Sequence, residues 1–205
     1  MRVLRLHGNT LRVSGTLSPD EVLPRLRGRF GRPYSYVERC ESTQRLLDEE
    51  APEGAVAAAD EQTDGRGRLG RTWVAPAGSS VLFSIALHPA VPTPRLPELS
   101  LVAGKACAAA IAEVAGVEAA VKHPNDVLVR GRKVAGVLAE ARDGRVVLGV
   151  GINVSQRAAD LPDRGELPAT SLLLETDREH DRAELLAALL EHLERDYDAW
   201  VASYR

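Results

Sequence analysis

The sequence predicts an α+β fold in which helices flank a mixed, mainly antiparallel β-sheet. Three patterns carry this prediction: a short apolar run at residues 55–60, alternating stretches between residues 121 and 154 that are broken by polar turns, and two segments of helical spacing, at 99–116 and 181–205. The chain has 205 residues without internal repeats. We therefore expect one globular domain with a small N-terminal appendage.

The front of the chain, residues 1–35, predicts a short hairpin followed by a short helix. The stretches RVLRL and TLRV, within residues 2–13, alternate apolar and polar side chains and are separated by a polar, glycine-containing turn. Ser18 is a candidate N-cap, and Pro19 suits the first helical position. A winged helix-turn-helix needs about three helices and roughly 60 residues, so this segment does not predict a DNA-binding domain.

The next elements enclose a loop that is rich in glycine and arginine. Ser42 or Thr43 predicts the start of a helix that ends near residues 52–54. Residues 55–60, AVAAAD, predict a buried strand, and residues 79–87, SSVLFSIAL, predict a second strand because they are rich in β formers. The loop is therefore expected to lie between two strands.

The rest of the chain predicts a helix, a meander and a final helix. Residues 99–116 are rich in small side chains, and Gly116 is expected to end that helix. An Asp-Gly dipeptide at 143–144 joins two alternating runs, which is a strong hairpin signal, so residues 121–154 predict an antiparallel meander. Residues 181–205 place leucines and aromatic side chains near helical spacing, which is typical of an amphipathic helix.

The overall composition argues against several classes of protein. The formal net charge is -3, whereas nonspecific binding of nucleic acid requires a basic surface. Cys40 and Cys107 are too few for a disulfide framework, and the five histidines lack the spacing of a zinc site. No stretch is apolar and long enough for a secretion signal or a membrane span. We expect a soluble, cytoplasmic protein with no membrane partner.

The loop at residues 64–73, DGRGRLGRTW, is the first candidate site. Its glycines allow backbone N–H groups to converge, and its arginines can bind oxygen atoms in a bidentate manner, so the loop suits an anion. It is not a Walker A loop, because no Lys-Ser or Lys-Thr follows the last glycine, and a strand rather than a Rossmann helix comes next. Taken alone, the loop also fits a solvated turn or an RNA contact of the RGG type.

Two further polar residues are candidates because of their neighbours. Lys122 lies between the apolar Val121 and the rigid His123-Pro124 pair, which indicates a fixed side chain, although a surface lysine is the ordinary alternative. Asn153 lies in the apolar stretch GVGINV, where an amide needs hydrogen-bond partners. A satisfied turn or bulge is the alternative for Asn153.

Taken together, the motifs of the chain resemble those of the biotin protein ligases. In chain order they are EST at 41–43, Gln62, GRGRLGRTW at 65–73, KHPND at 122–126, KVAGVLAE at 133–140, GVGIN at 149–153 and ATSL at 169–172. The resemblance implies a fold like that of class II aminoacyl-tRNA synthetases and biotin synthetases, with a catalytic domain over residues 36–205.

The resemblance also implies an activity. Members of the family join biotin to ATP, which gives biotinyl-5'-adenylate and pyrophosphate, and then transfer biotin to a lysine of a biotin carboxyl carrier protein. Mg²⁺ is the implied cofactor, and the implied partner is a carrier of the acetyl-CoA carboxylase type. A homodimer is a further possibility within the family.

Site residues follow from the resemblance, position by position. The implied biotin contacts are Ser42, Thr43, Gln62, Arg66, Gly67, Arg68, Trp73, Lys122, Gly136 and Leu138. The implied ATP contacts are Arg68, Arg71, Lys122, Asn125 and Asn153. Lys122 and Arg68 are the implied catalytic residues. Lys122 would touch the biotin carboxyl group and the α-phosphate, and Arg68 would hold the adenylate. Asp126 is the implied Mg²⁺ ligand.

The chain departs from the family pattern at several points. His123 stands where the family usually has tryptophan, and Gln44 stands where it usually has asparagine. The usual small C-terminal β-barrel is expected to be absent, because the sequence ends at Arg205. Three alternatives stay open: a lipoate or octanoate ligase, which the polar set around Gln62 disfavours; a binding module without transfer activity; and a DNA-binding repressor, which the short N-terminus disfavours.

Overall fold

The computed structural model describes residues 15–142, 144–162 and 167–204. The hairpin predicted for residues 2–13, and Asp143 of the predicted turn, lie outside the described residues. The strands are β1 (Tyr34–Cys40), β2 (Val56–Gln62), β3 (Ser80–Leu87), β4 (Ala120–Lys122), β5 (Asp126–Val129), β6 (Arg132–Arg142) and β7 (Arg145–Asn153). The α-helices are α1 (Pro19–Val22), α2 (Leu99–Ala115), α3 (Leu172–Thr176) and α4 (Arg182–Ala202).

The described residues form one seven-stranded sheet with the strand order β1-β2-β3-β7-β6-β5-β4. β1 and β2 are parallel, and the other neighbouring pairs are antiparallel. This arrangement confirms the predicted α+β class with a mixed, mainly antiparallel sheet. The predicted strands at 55–60 and 79–87 correspond to β2 and β3, and β4 to β7 form the predicted meander.

The helix predicted to begin at Ser42 or Thr43 is wrong. The structure has only a short 3₁₀ helix, Thr43–Leu46, and the Ser42 side chain does not cap it. The Thr43 backbone N–H donates instead to Gln62 Oε1 at 2.8 Å. This hydrogen bond attaches the segment to the end of β2, and the segment does not continue as a longer helix.

Sequence reasoning also missed two features of the sheet. β1, with the sequence YSYVERC, was not predicted, and it supplies the parallel pair with β2. The stretch 121–129 is divided into β4 and β5, which pair around a turn so that Lys122 faces Asp126 in the register.

Helices α2 and α4 pack together, and their apolar residues join those of the sheet in one hydrophobic core. Gly104 allows α2 to approach β4 closely, since a Cβ atom there would lie 3.1 Å from Val121 Cγ1. Gly116 ends α2 in the left-handed region with φ 71°, as predicted. Among the described residues, no helix is long and apolar enough to span a membrane.

The first residue of α4, Arg182, fastens this helix to the sheet. Its side chain is fully buried, with Nη1 2.8 Å from Asp60 Oδ1 and 3.1 Å from the Ser80 carbonyl oxygen. Asp60 also accepts a hydrogen bond from the Tyr36 hydroxyl at 2.7 Å. Breaking a buried pair of this kind costs about 3–5 kcal/mol, because it leaves an uncompensated charge. The pair joins α4 to β2 at Asp60, which lies two residues before Gln62.

Alternate residues of β7 serve the two faces of the sheet. Leu148 and Ile152 belong to the hydrophobic core, whereas Gly149 and Gly151 line a cleft. On β6, Gly136 and Leu138 line the same cleft. The strands in the middle of the sheet therefore provide the floor of a surface cavity.

Candidate active site

The cleft has a volume of about 350 Å³ and lies over the middle of the sheet, under the loop between β2 and β3. Thirteen of the fourteen site residues implied by the sequence line it. They are Ser42, Thr43, Gln62, Arg66, Gly67, Arg68, Arg71, Trp73, Lys122, Asn125, Asp126, Gly136 and Leu138. Motifs separated by up to 96 residues thus meet at one place.

One end of the cleft is neutral, polar and buried. Gln62 Oε1 accepts hydrogen bonds from the Thr43 backbone N–H at 2.8 Å and from Thr43 Oγ1 at 3.2 Å. Thr43 Oγ1 also lies 2.7 Å from the hydroxyl of Ser84, which is fully buried on β3. These bonds orient the Gln62 amide so that its Nε2 group is the donor left for a ligand.

Gln44 contributes a second amide to this polar end. It is 9% exposed, and its Nε2 group lies 3.4 Å from the carbonyl oxygens of both Leu138 and Val147. Its side chain covers Gly149, because a Cβ atom at that glycine would lie 3.3 Å from Gln44 Cδ. The Gln44 side chain thus lies across the boundary between β6 and β7.

A glycine floor separates the two ends of the cleft. Gly136 and Gly151 are partners in the β6–β7 register, and the Trp73 ring lies against both. A Cβ atom at Gly151 would lie 2.6 Å from Trp73 Cε2, which no side chain can tolerate without displacement of the ring. The Trp73 Nε1 atom is buried and has no hydrogen-bond partner among the described residues.

The glycine-arginine loop, residues 64–73, covers the cleft and folds back on itself. The Trp73 N–H donates to the Gly65 carbonyl at 2.8 Å, and the Gly67 N–H donates to the Arg71 carbonyl at 2.7 Å. A Cβ atom at Gly65 would lie 2.3 Å from the Trp73 carbonyl oxygen, so this close approach requires glycine.

Two exposed polar contacts connect the loop to the sheet. Arg66 Nη1 lies 3.1 Å from Glu140 Oε2, and Arg68 Nη1 donates to Asn125 Oδ1 at 3.2 Å. Asn125 in turn donates to the Val137 carbonyl at 2.9 Å.

At the tip of the loop, Leu69 has φ 58° and is 87% exposed. A branched residue in this region is strained, by about 1–3 kcal/mol.

Lysines on two strands face the other end of the cleft. Lys122 is exposed at the end of β4, and Lys133 lies on β6 with 28% of its side chain exposed. Lys133 Nζ is 2.6 Å from Asp126 Oδ1 and 5.8 Å from the centroid of the Trp73 ring. Lys133 was not singled out from the sequence. Together with the loop arginines, both lysines make this end cationic.

A second cavity of about 140 Å³ lies beside the first, and Trp73, Asp126 and Lys133 line both. Asn153 lines this second cavity and not the first. Its Nδ2 donates to the Thr170 carbonyl at 2.9 Å, and its Oδ1 accepts from Gln156 Nε2 at 2.9 Å. The buried Asn153 amide therefore has the hydrogen-bond partners that it requires. One of its two Nδ2 protons is not used in these bonds.

The acidic groups of the site fit a resident metal ion poorly. Within the three described ranges, no cluster of three or more His, Cys, Asp or Glu residues could hold a metal. The predicted ligand Asp126 is paired with the Lys133 ammonium group, which competes with a cation for the carboxylate. Mg²⁺ often reaches such sites with the phosphates of a nucleotide and few protein ligands.

The nearest thiol does not suit nucleophilic chemistry. Cys40 pairs with Gln62 in the β1–β2 register, and it does not line the cleft. Burial raises the pKa of its thiol, which disfavours the thiolate form needed for attack. The polar side chains that line the cleft are mainly hydroxyls, amides and cations, together with the Asp126 carboxylate.

The cleft thus has buried neutral groups at one end and several cations at the other. Comparison with known proteins then shows the family. A family model described as the Biotin/lipoate A/B protein ligase family matches residues 36–156. The chain belongs to this family.

Curated relatives agree with this assignment. The chain is 37% identical over 193 residues to the Bifunctional ligase/repressor BirA of Bacillus subtilis, covering 89% of this chain and 59% of that protein. It is 41% identical over 152 residues to the Biotin--[acetyl-CoA-carboxylase] ligase of Mycobacterium tuberculosis, covering 72% of this chain and 56% of that protein. The chain thus spans less than two thirds of the length of these relatives.

A solved structure agrees as well. The biotin protein ligase from Aquifex aeolicus in complex with biotin and ATP superposes with a TM-score of 0.74 and 34% identity, covering 82% of this chain and 71% of the other. The predicted relation to the biotin protein ligases is confirmed.

Proposed function

We propose that the chain is a biotin protein ligase that activates biotin with ATP and transfers it to a lysine of a carrier protein. The observation that supports this most directly is the shape and polarity of the cleft. Its neutral end has amides and hydroxyls for a cyclic urea, and its cationic end is suited to a carboxylate meeting a phosphate.

In the first step, a carboxylate oxygen of biotin attacks the α-phosphorus of ATP. A new P–O bond forms, the bond to the β-phosphate oxygen breaks, and pyrophosphate leaves with the electron pair. Both partners are anions, so catalysis requires alignment and charge neutralisation. From the sequence, Lys122 and Arg71 are the cations assigned to this task, and Arg68 is assigned to hold the adenylate once it has formed.

The geometry adds Lys133 to this set of cations. Its ammonium lies between the two cavities, beside Asp126 and the Trp73 ring, so it could face both the biotin carboxylate and a nucleotide in the second cavity. Asn153, which the family resemblance implies as an ATP contact, lines that second cavity. The Asn153 amide would use its remaining Nδ2 proton there.

In the second step, the amine of a carrier lysine attacks the carbonyl carbon of the mixed anhydride. An amide bond forms, AMP leaves, and the amine loses a proton. The loop would hold the adenylate until the carrier arrives, with Arg66 and Arg68 fixed by Glu140 and Asn125.

The partners follow from the named relatives. The Mycobacterium tuberculosis relative is named a biotin--[acetyl-CoA-carboxylase] ligase, which supports a carrier of that type for this chain. Mg²⁺ would arrive as the ATP complex, as part of the substrate, because the described residues fit a resident site poorly. A homodimer, a cytoplasmic location and the lack of a DNA partner stay predictions from the sequence.

The test is an incubation with radiolabelled biotin, ATP and a biotin carboxyl carrier domain. We expect the carrier to be labelled, and a carrier whose acceptor lysine is replaced by arginine to stay unlabelled. If the wild-type carrier also stays unlabelled while a known ligase labels it in parallel, this function is wrong.

A further inference from the structure

The amide of Gln44 has one end held by the sheet and the other end open to a ligand. Nε2 donates to the Leu138 and Val147 carbonyl oxygens, but both distances are 3.4 Å, at the long limit of a hydrogen bond. No described residue donates to Gln44 Oε1. Because Gln44 lines the cleft, this oxygen is available as an acceptor there.

The position of Gln44 within the polar end is fixed by its neighbours. A Cβ atom at Gly149 would lie 3.3 Å from Gln44 Cδ and 3.4 Å from Ser84 Oγ, so both side chains meet above this glycine. Ser84 Oγ is in turn 2.7 Å from Thr43 Oγ1, which contacts Gln62. Gln44 is therefore adjacent to the group expected to bind the head of the substrate.

The two glutamine side chains leave complementary hydrogen-bonding groups available for a ligand. Gln62 has its Oε1 occupied by Thr43, so it offers the Nε2 donor, whereas Gln44 has its Nε2 directed to the sheet and offers the Oε1 acceptor. A cyclic urea presents one carbonyl acceptor and two N–H donors. A dithiolane ring, as in lipoate, presents neither.

We infer that Gln44 is a specificity-determining residue whose Oε1 accepts a hydrogen bond from a ureido N–H. The inference rests on the proposed function, because it assumes that the substrate head lies at the neutral end of the cleft. A site built to hydrogen-bond its substrate rejects an analogue without those groups strongly, since its own buried polar atoms are left unpaired. Gln44 and Gln62 together would thus exclude lipoate.

The test compares Gln44→Met with wild type in equilibrium binding of biotin and of lipoate. Methionine keeps the length and approximate volume of glutamine but removes the amide. We expect biotin to bind roughly tenfold more weakly, as for loss of one buried hydrogen bond. We expect lipoate binding to be unchanged or tighter, so that the ratio of the two affinities falls by at least that factor.

Leu46→Met is the matched control, because Leu46 lies on the same 3₁₀ helix and does not line the cleft. It should bind both ligands as wild type does. Thermal melting of each variant reports folding, and Gln44→Asn, which withdraws the amide by one methylene group, replaces Gln44→Met if the latter does not fold.

Three outcomes oppose the inference, and they differ in what else they overturn. If wild type binds no biotin, the proposed function and the inference are both wrong. If wild type binds biotin and Gln44→Met binds it equally well, only the inference is wrong. If Gln44→Met weakens biotin and lipoate by the same factor, Gln44 has a structural role and does not determine specificity.

Discussion

The two ends of the cleft differ in burial and in charge. At the neutral end, Thr43, Ser84 and Gln44 are at most 9% exposed, and hydrogen bonds to neighbouring strands fix them. At the cationic end, the Arg66 side chain is 45% exposed, and its one polar contact within the described part of the chain is with Glu140. Recognition of a neutral ring needs fixed, dry partners, whereas an anion is also attracted over a longer distance by charges that are partly exposed.

This contrast predicts that substitutions at the two ends affect different quantities. Changes at the neutral end should alter ligand affinity and specificity. Changes at the cationic end should alter the rate of adenylate formation or the lifetime of the adenylate, with smaller effects on biotin affinity.

The largest effect is expected for the lysines of the cationic end. Replacing the catalytic lysine with alanine should reduce the rate of adenylate formation by about 10²–10³-fold, as for loss of a preorganised charge-stabilising donor. The two candidate variants are Lys122→Ala and Lys133→Ala. Single-turnover formation of biotinyl-5'-AMP from radiolabelled ATP measures this rate, and biotin affinity is measured in parallel.

Comparing the two lysine variants decides which ammonium group is catalytic. The sequence assigns this role to Lys122, whereas the half-buried position of Lys133 beside Trp73 makes it a competitor. A large loss in Lys133→Ala with near-normal Lys122→Ala would show that the sequence-based assignment is wrong. Normal rates in both variants would contradict the role of the cationic end.

Gly151→Ala should disturb the floor between the two ends. The added methyl group would lie 2.6 Å from Trp73 Cε2, so the ring must leave the β6–β7 surface. We expect about a tenfold or greater loss of biotin affinity, together with a lower melting temperature. Gly151→Ala should lower the melting temperature less in a Trp73→Ala background than in wild type, because the clash is gone. An equal loss in the two backgrounds would mean that the ring does not cause the destabilisation.

Arg68→Gly should leave adenylate formation within a fewfold of wild type but release the intermediate about tenfold faster. The reason is that the substitution removes the contact of the loop with Asn125 and adds backbone freedom at the loop tip. Filter binding of labelled adenylate against time measures release. Arg68→Lys, which keeps the charge, is the control, and equal retention by Arg68→Gly and wild type would refute the role of Arg68.

The smallest effect is expected at the exposed pair Arg66–Glu140. A double-mutant cycle with Arg66→Ala and Glu140→Ala should give a coupling of about 0.2–1 kcal/mol that decreases in high salt. Adenylate retention is the readout. A coupling that is larger and insensitive to salt would mean that the loop is held more rigidly at the cationic end than this contact indicates.

The family resemblance singled out residues of local motifs, and the structure brings them to one cleft. Gln62, Arg68 and Trp73 lie within one short stretch around a glycine-rich loop, so their proximity required no knowledge of the sheet. Lys122 and Asn125 lie in one turn and line the same cleft, and the roles of all five residues stay predictions.

Two features of the cleft were missed because they depend on strand pairing. Ser84 is a hydroxyl in an apolar strand, and only the placement of β3 beside β2 and β7 brings it to Thr43. The pairing of Gly136 with Gly151, which accommodates Trp73, is likewise a property of the β6–β7 register. A polar residue in the middle of SSVLFSIAL was the available signal for Ser84.

The helix predicted after Ser42 failed for a related reason. Local capping preferences favoured it, but the Thr43 N–H finds a side-chain acceptor 19 residues away on Gln62. Such a tertiary hydrogen bond overrides local propensity, and it cannot be read from the spacing of residues along the chain.

The most direct test of the account is the yield of adenylate from radiolabelled ATP with three ligands: biotin, the alcohol analogue of biotin and lipoate. The account predicts biotinyl-5'-AMP from biotin, none from the alcohol, which lacks the carboxylate, and at least about a thousandfold less adenylate from lipoate. Equal adenylation of lipoate and biotin would contradict the recognition of a ureido head at the neutral end. Failure to form adenylate from biotin would contradict activation at the cationic end.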